Sequence, residues 1–221
     1  MIRKVETGFP TRSCSTKEKR KAIDSAWSDC ARERSAILME RGERGRHCKL
    51  LSTAQSWRRV MKLLSGGQSG VDRAALDVAL ARGIEYGGWC PRGGWAEDFP
   101  RPPGLLARYP KLAETPLADP AQRTEWNVRD ADACLIIVDA EGLSVSRGTV
   151  LGRGEAARYG KPLFVAVLGA AYVAGDAAAW LRAQREGFGE SLTLAIGGPR
   201  ESEAPGIYAR ALTFIGALLE H

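Results

Sequence analysis

The sequence predicts an α/β fold in which a parallel sheet carries helices on both faces, and three observations predict it. From residue 61 onwards, short apolar segments alternate with longer amphipathic ones, as strands and helices do in such folds. The segments at residues 133–138 and 162–168 are apolar throughout, which is typical of parallel strands buried on both faces. Glycine-bearing loops follow three of the strands. We therefore expect a Rossmann-like sheet whose glycine loops converge on one crevice.

The chain consists of two regions that differ in net charge. Residues 1–60 contain fifteen Lys and Arg against seven Asp and Glu, whereas residues 61–221 contain seventeen against nineteen. Met61 lies at the start of the first convincing strand, where an ordinary start codon would fall. We expect residues 61–221 to form the domain and residues 1–60 to be a basic, largely irregular extension. This extension is either a mis-assigned upstream segment, a dispensable tail or an arm that contacts RNA or an acidic partner. The charge of that domain gives no reason to expect nucleic acid as its partner.

The first strand and the first helix meet at a glycine-rich loop, residues 65–70. Apolar residues lead into the loop, and an Ala- and Leu-rich helix follows at residues 71–82. Glycines let the backbone approach a ligand, and free N–H groups at a helix start attract anions, so the junction is a candidate phosphate or carboxylate site. Ser69 is the expected N-cap, and Asp72 suits the helix dipole. A plain strand-to-helix turn is the alternative.

A second short strand is expected at residues 84–89, and the loop at residues 90–98 follows it. Loops beyond strand ends are where ligands lie in α/β sheets, so this loop is expected to form one wall of the site. Trp89 and Trp95 bracket it. Residues 99–118 contain five of the eleven prolines and are expected to cross the surface without regular structure.

The next helix is expected to begin at Asp119 and Pro120, a typical N-cap and first-turn residue. Two polar stripes run along it with helical spacing. They are Arg123, Asn127 and Asp130, and Glu125, Arg129 and Asp132. Such a stripe either faces a ligand or, more commonly, lies in solvent with its own ion pairs.

The clearest strand, residues 133–138, is followed by a Gly- and Ser-rich loop and a helix that reaches Tyr159. A second set of helix-start N–H groups would meet the same ligand here, with Arg147 adding charge and Thr149 a hydroxyl. Further strands are expected at residues 162–168 and 191–196, and helices at residues 174–185 and 205–219. The third glycine loop, Gly197 and Gly198, ends the last strand.

The cysteine and histidine content limits the kinds of metal site and catalytic site that the domain can contain. The five cysteines are scattered without CxxC spacing, so neither a disulfide framework nor a zinc site is indicated. His47 and His221 are the only histidines, which argues against a histidine-based metal site or a Ser-His-Asp triad in the domain. No apolar run has membrane-spanning length, and the N-terminus lacks the apolar core of a signal peptide. The sequence therefore predicts a reduced, cytoplasmic protein without a bound metal of its own, and it allows a homo-oligomer.

Six strings, in order, resemble one known family. They are GGQSGVDRAALD at residues 66–77, GGWCP at 87–91, AED at 96–98, RTEWNVRD at 123–130, GKP at 160–162 and GPRESEAPGIY at 198–208. The family is that of the molybdenum carrier proteins, also described as the circularly permuted YpsA branch of the SLOG superfamily. The resemblance begins at about Met61 and leaves out residues 1–60.

This resemblance implies a Rossmann-like fold related to the lysine-decarboxylase-like, cytokinin-activating phosphoribohydrolases and to the algal molybdenum cofactor carriers. It also implies a phosphate-bearing heterocyclic ligand, either a nucleotide or the molybdopterin of the molybdenum cofactor. One difference from the phosphoribohydrolase sequences bears on whether this chain is a hydrolase. The phosphoribohydrolases place a glutamate two residues after the threonine of their glycine loop, whereas here Glu155 lies six residues after Thr149, which argues against hydrolysis.

Three functions are compatible with these observations: a binding or carrier protein, an enzyme that cleaves the N-glycosidic bond of a nucleotide, and a nucleotide-sensing module. The residues expected to hold the ligand are Gly66, Gly67, Gln68, Ser69, Gly70, Arg73, Trp89, Arg129, Arg147, Gly148 and Thr149. A heterocyclic ring would stack on Trp89, Trp95 or Trp126, the alternative being that these are core residues. Cys90 is either a contact for a metal on the ligand or, more commonly, an ordinary buried thiol. A hydrolase would need a carboxylate near the reacting carbon, for which the candidates are Glu97, Asp98, Glu125 and Glu155.

Overall fold

The computed structural model of the protein describes residues 61–141, 146–188 and 191–220. Its strands are β1 (Lys62–Leu64), β2 (Glu85–Gly87), β3 (Trp89–Cys90), β4 (Ala113–Glu114), β5 (Ala133–Val138), β6 (Leu163–Val167) and β7 (Thr193–Gly197). Five of them form one parallel sheet in the order β2-β1-β7-β5-β6, and β3 pairs with β4 in a separate parallel pair. The predicted extension, residues 1–60, and the loop residues 142–145 lie outside the described residues.

Helices alternate with these strands, which confirms the predicted α/β fold. They are α1 (Val71–Arg82), α2 (Pro120–Arg129), α3 (Arg147–Arg158), α4 (Val173–Phe188) and α5 (Ile207–Leu218). Asp119 caps α2 as expected, because its carboxylate accepts a hydrogen bond from the backbone N–H of Ala121. In the described residues, no helix combines the length and the apolar character that crossing a membrane requires.

Helices cover both faces of the sheet. Neighbouring residues of a strand point to opposite faces, and Leu63 and Leu64 accordingly belong to two different apolar clusters. The larger cluster joins the sheet to α1, α4 and α5, and the smaller one joins it to α2 and α3 through Val128 and Ala156. The second face, beneath α2 and α3, is where the candidate site lies.

Two segments differ from the prediction. The single strand expected at residues 84–89 is divided at Gly88 into β2 and β3, because β3 leaves the main sheet to pair with β4. Residues 99–118, expected to be irregular, contain a short 3-10 helix, Gly104–Ala107, as well as β4. Leu105 and Tyr109 of this segment are fully buried, so it completes the core instead of crossing the surface.

Candidate functional site

A cleft of about 250 Å³ opens between α2, α3 and the sheet, at the carboxyl ends of β1 and β7. Apolar side chains from the strands and from α2 form most of its inner wall. They include Leu64, Val128, Leu135, Ile136, Ala195 and Ile196. Polar groups of all three predicted glycine loops surround this wall, and Gly66, Gly148 and Gly198 all line the cleft. The predicted convergence of the loops is therefore found in the structure.

An ion pair lies at the inner end of the cleft. Arg123 Nη1 is 2.7 Å from Asp72 Oδ2, and the two side chains are only 12% and 4% exposed. Burial raises the pKa of the Asp72 carboxyl, while Arg123 and the backbone N–H groups of Gln68 and Gly198 oppose that rise. The carboxylate thus lies where the first glycine loop meets the third, and a Cβ on Gly197 would be 3.3 Å from its Oδ1.

Two glycines make this arrangement possible. A Cβ on Gly66 would lie only 2.0 Å from Arg123 Nη1, so a larger residue there would displace the guanidinium. Gly70 has a φ of +76°, and a Cβ at that position would lie 2.4 Å from the carbonyl oxygen of Pro199. Val71 N–H, at the start of α1, donates to the same carbonyl. The third loop therefore packs directly on the start of α1.

The start of α3 also faces the cleft, and it is less tightly packed than the start of α1. Ser146 is the N-cap, and its hydroxyl oxygen accepts hydrogen bonds from both the backbone N–H and the hydroxyl of Thr149. Ser146 and Thr149 are buried, whereas Arg147 and Gly148 are exposed. A Cβ on Gly148 would meet nothing within 4 Å. A helix start of this kind, beside an arginine, is suited to an anionic group.

One face of α2 forms the opposite wall. Arg123, Thr124 and Asn127 line the cleft from this helix. Asn127 also holds β3, because its side-chain amide accepts from Trp89 N–H and donates to the Trp89 carbonyl. The first predicted polar stripe of α2 therefore faces the cleft at Arg123 and Asn127, while its third member, Asp130, lies on the surface.

The third loop supplies an arginine and a carboxylate. Arg200 and Glu203 both line the cleft, and the backbone N–H of Arg200 donates to Glu203 Oε2 at 3.0 Å. The guanidinium of Arg200 also lies over the ring of Trp95, 5.7 Å from its centroid. This contact keeps Trp95 beside the loop without placing its ring among the cleft-lining groups.

Glu97 connects the first loop to the third. Its carboxylate accepts from the hydroxyls of Ser69 and Ser202 and from the backbone N–H of Ser202. Burial alone would raise the pKa of Glu97, but these hydrogen bonds, with the nearby charge of Arg200, lower it. The predicted wall formed by residues 90–98 is thus a support behind the loops, and it does not line the cleft.

Several predicted ligand-binding residues lie outside the cleft. Arg73 is turned away from it, bonded to the Gly67 carbonyl and, through two hydrogen bonds, to Asp98. Gly67, Gln68, Ser69 and Gly70 form the back of the loop, and of residues 66–70 the cleft is lined by Gly66. Gln68 instead accepts from the backbone N–H groups of Ser69 and Glu97. Ser69 is not the N-cap that the sequence predicts, because α1 is preceded by Gly70 and has no side-chain cap.

Two of the three aromatic candidates form a separate cluster near the surface. Trp89 and Trp126 meet edge to face at 4.6 Å, and Arg129 lies over the Trp126 ring. The indole N–H of Trp89 donates to Asp130 Oδ2, and Arg129 bonds the same carboxylate. Neither tryptophan ring lines the cleft, so neither is positioned to stack on a ligand bound there.

The four candidate catalytic carboxylates also lie outside the cleft. Glu97 and Asp98 are bonded as described above, Glu125 accepts from the hydroxyl of Tyr159, and Glu155 pairs with Arg158. The carboxylates that do line the cleft are Asp72 and Glu203.

Neither described cysteine offers a reactive thiolate. Burial raises the pKa of the Cys90 and Cys134 thiols to about 11, and both are free. Cys134 lines the cleft, whereas Cys90 does not. Within residues 61–141, 146–188 and 191–220, no group of three or more His, Cys, Asp and Glu side chains is placed to hold a metal ion.

Sequence reasoning did not identify several of the groups that line the cleft. Ser65, Ser146 and Glu203 have no distinguishing pattern beyond their position beside glycine loops. Ser65 lies directly at the end of β1, and its hydroxyl contacts the Ile196 carbonyl of β7 at 2.9 Å. Its position at the end of a strand is the sequence feature that could have identified Ser65 as a cleft residue.

Comparisons with known proteins agree with this architecture. The sequence pattern of the circularly permutated YpsA SLOG family matches residues 63–219. A crystal structure of a "Putative molybdenum carrier protein" from Syntrophus aciditrophicus SB is similar to this chain, with 34% sequence identity and a TM-score of 0.62. The match covers 73% of this chain and 96% of that one. No curated protein matches the sequence.

Proposed function

This chain belongs to the circularly permuted YpsA SLOG family, and on that premise we propose that it is a binding protein for a phosphate-bearing heterocycle. The observation that supports this proposal most strongly is that one cleft combines an anion-binding helix start with an apolar wall. An open helix start with an adjacent arginine faces a wall of apolar side chains. Small-molecule sites commonly have this composition, with a few polar groups fixing the orientation of a mainly apolar ligand.

The phosphate binds at the start of α3. Gly148 leaves the backbone open on the cleft side, and Arg147 adds a positive charge that is exposed to solvent. Backbone N–H groups at a helix start and an arginine together form a usual phosphate site. Thr149, although buried, lines the same end of the cleft.

The heterocyclic ring lies against the apolar wall formed by the sheet and α2. A volume of about 250 Å³ suits one ring system with a short phosphate arm and is small for a dinucleotide. Asn127 and Glu203 stand beside the wall and offer hydrogen-bonding groups to the edge of a ring.

Molybdopterin is the ligand that we propose first, and a nucleotide is the second choice. The similar protein from Syntrophus aciditrophicus has the name "Putative molybdenum carrier protein", and molybdopterin is a heterocycle with one phosphate. The pterin binds molybdenum through its own two sulfur atoms, so the metal is cargo and the protein holds the phosphate and the ring. The free thiols of Cys90 and Cys134 agree with a reduced, cytoplasmic setting for such a carrier.

Binding without turnover is favoured over nucleotide hydrolysis. Glu97, Asp98, Glu125 and Glu155 all lie outside the cleft, so none of them would contact the reacting carbon of a ligand bound there. Of the two carboxylates that line the cleft, Asp72 is already engaged with Arg123.

A binding experiment with the full chain tests the proposal. Native mass spectrometry of protein purified without added ligand, with elemental analysis for molybdenum, shows whether a small molecule is retained. The same protein is then incubated with molybdenum cofactor and with a panel of nucleoside monophosphates. We expect a complex to form and no free base to be released. Release of base would support the hydrolase instead, and failure to bind any of these compounds would reject the proposal.

A further inference from the structure

The position at which the first glycine loop would hold an anion is already filled by a side chain of the protein. The Asp72 carboxylate lines the cleft where the first and third loops meet, and its Oδ2 is 2.7 Å from Arg123 Nη1. Its Oδ1 lies so close to the third loop that a Cβ on Gly197 would be 3.3 Å away. A phosphate held by this loop would have to occupy the space that the Asp72 carboxylate fills.

The cation that would neutralise a phosphate in this loop is also engaged by Asp72. Arg123 reaches the carboxylate at 2.7 Å by passing directly over Gly66, where any Cβ would obstruct it. With 4% of the Asp72 side chain exposed, the carboxylate is held inside the loop and is poorly screened by solvent. The loop therefore already contains its own ion pair, and Arg123 is not available to a second anion.

We propose that Asp72 is a specificity-determining residue whose carboxylate occupies the anion position of the first glycine loop. The cleft consequently accepts a ligand with one phosphate, held at the start of α3, and rejects a ligand that brings a second phosphate to the loop. This inference deepens the proposed function, on which the identity of the ligand rests. It separates monophosphate esters from nucleoside diphosphates and dinucleotides as ligand classes.

Inorganic phosphate is the probe for the loop itself. In the full chain, Asp72→Ala removes the internal anion and frees Arg123. We expect this variant to bind phosphate at least about tenfold more tightly than the original protein, because a buried like charge has been removed. Phosphate should also raise its melting temperature more than chloride does at the same ionic strength. Isothermal titration and thermal unfolding measure the two effects.

Three further variants make the test specific. Asp72→Asn keeps the volume of the side chain and removes its charge, so it too should bind phosphate more tightly than the original, and it replaces the alanine variant if that variant does not fold. The double variant Asp72→Ala with Arg123→Ala should lose the gain. Asp98→Asn removes a carboxylate from Arg73, outside the cleft, and should show no gain. Phosphate binding that is unchanged in both Asp72 variants would overturn the inference.

The ligand classes are compared separately. The original protein should bind guanosine monophosphate at least about tenfold more tightly than guanosine diphosphate, since the second phosphate meets Asp72. Equal binding of the two would overturn the inference. A protein that binds no heterocycle would reject the proposed function, while a gain of phosphate binding in Asp72→Ala would still support the role of Asp72.

Discussion

Arg123 Nη1 lies 2.7 Å from Asp72 Oδ2 at the inner end of the cleft, and both side chains are nearly buried. The two residues are 51 positions apart in the sequence and come from α2 and α1, so this pair joins the helices of the two faces through the end of the sheet. Burying both charges of such a pair costs desolvation free energy. Removing one partner costs more, because the remaining buried charge has no partner. The cleft and the stability of the fold therefore depend on the same contact.

Removal of the arginine should destabilise the protein strongly at neutral pH. Arg123→Ala leaves the Asp72 carboxylate buried without its charged partner, and we expect the free energy of unfolding to fall by about 3–5 kcal/mol. Urea denaturation measures this change. Arg158→Ala is a suitable control, because Arg158 forms exposed ion pairs with Glu125 and Glu155, and exposed pairs contribute about 1 kcal/mol or less. Equal losses in the two variants would contradict the assigned importance of the buried pair.

The cost of Arg123→Ala should also depend on pH. Burial raises the pKa of Asp72 above its ordinary value of 3.8, and without Arg123 the folded-state pKa should rise further. The folded state then binds the proton more tightly than the unfolded state, so stability is lost as the pH rises from 3.8 through the folded-state pKa. The difference in stability between Arg123→Ala and the original protein should therefore be smaller in acid than at neutral pH. Adding Asp72→Asn should remove this dependence, and its persistence would point to another titrating group.

Arg147 should contribute to ligand affinity without contributing to stability. Its side chain is exposed at the start of α3, beside the cleft. Arg147→Ala removes one charged contact to the phosphate, and we expect affinity for molybdopterin or a nucleoside monophosphate to fall about tenfold. Arg153→Ala is the matched control, since Arg153 is exposed on the same helix and does not line the cleft. Similar losses of affinity in both variants would indicate a general effect of charge.

Gly148 should be replaceable as far as the fold is concerned. A Cβ at this position meets nothing within 4 Å, and alanine has a higher helix propensity than glycine. Gly148→Ala should therefore raise the free energy of unfolding by about 0.5–1 kcal/mol. The same change at Gly154, which also has no neighbour within 4 Å but lies outside the cleft, should give a similar gain. Ligand titrations separate the two, because the added methyl group enters the cleft only at position 148. Loss of affinity in Gly154→Ala alone would contradict the assigned site.

The order of strands and helices could be predicted from the sequence because it depends on local patterns. The continuous apolar run at residues 133–138 became β5 with the expected bounds, since a strand buried on both faces leaves no polar position. The division of residues 84–89 could not be predicted, because it depends on the pairing of β3 with a two-residue strand 24 positions further along the chain. Strand pairing over such a distance leaves no trace in the local pattern.

The candidate site was predictable to a lesser degree. Convergence of the glycine loops follows from the topology of a parallel sheet, and the cleft at Gly66, Gly148 and Gly198 has this origin. Side-chain directions do not follow from topology. Arg73 is one residue from Asp72, yet it points away from the cleft and bonds Asp98, because the helix rotates neighbouring residues by about 100°. Which of the two faced the cleft depended on a rotation that residue types do not specify.

Glu97 should act as a structural connection between two loops and not as a catalytic group. Glu97→Gln weakens its hydrogen bonds with Ser69 and Ser202, and we expect a loss of about 1 kcal/mol in stability with faster amide hydrogen exchange at Ser202. Since the folded-state pKa of Glu97 is lowered, its contribution is present above the unfolded-state pKa and is lost as the pH falls through the folded-state pKa. Glu114→Gln is a comparison, because Glu114 accepts from the backbone N–H of Gly93 away from both glycine loops, so exchange at Ser202 should stay unchanged there. A catalytic Glu97 would show the opposite result, with nucleotide hydrolysis abolished in Glu97→Gln and exchange at Ser202 unaffected.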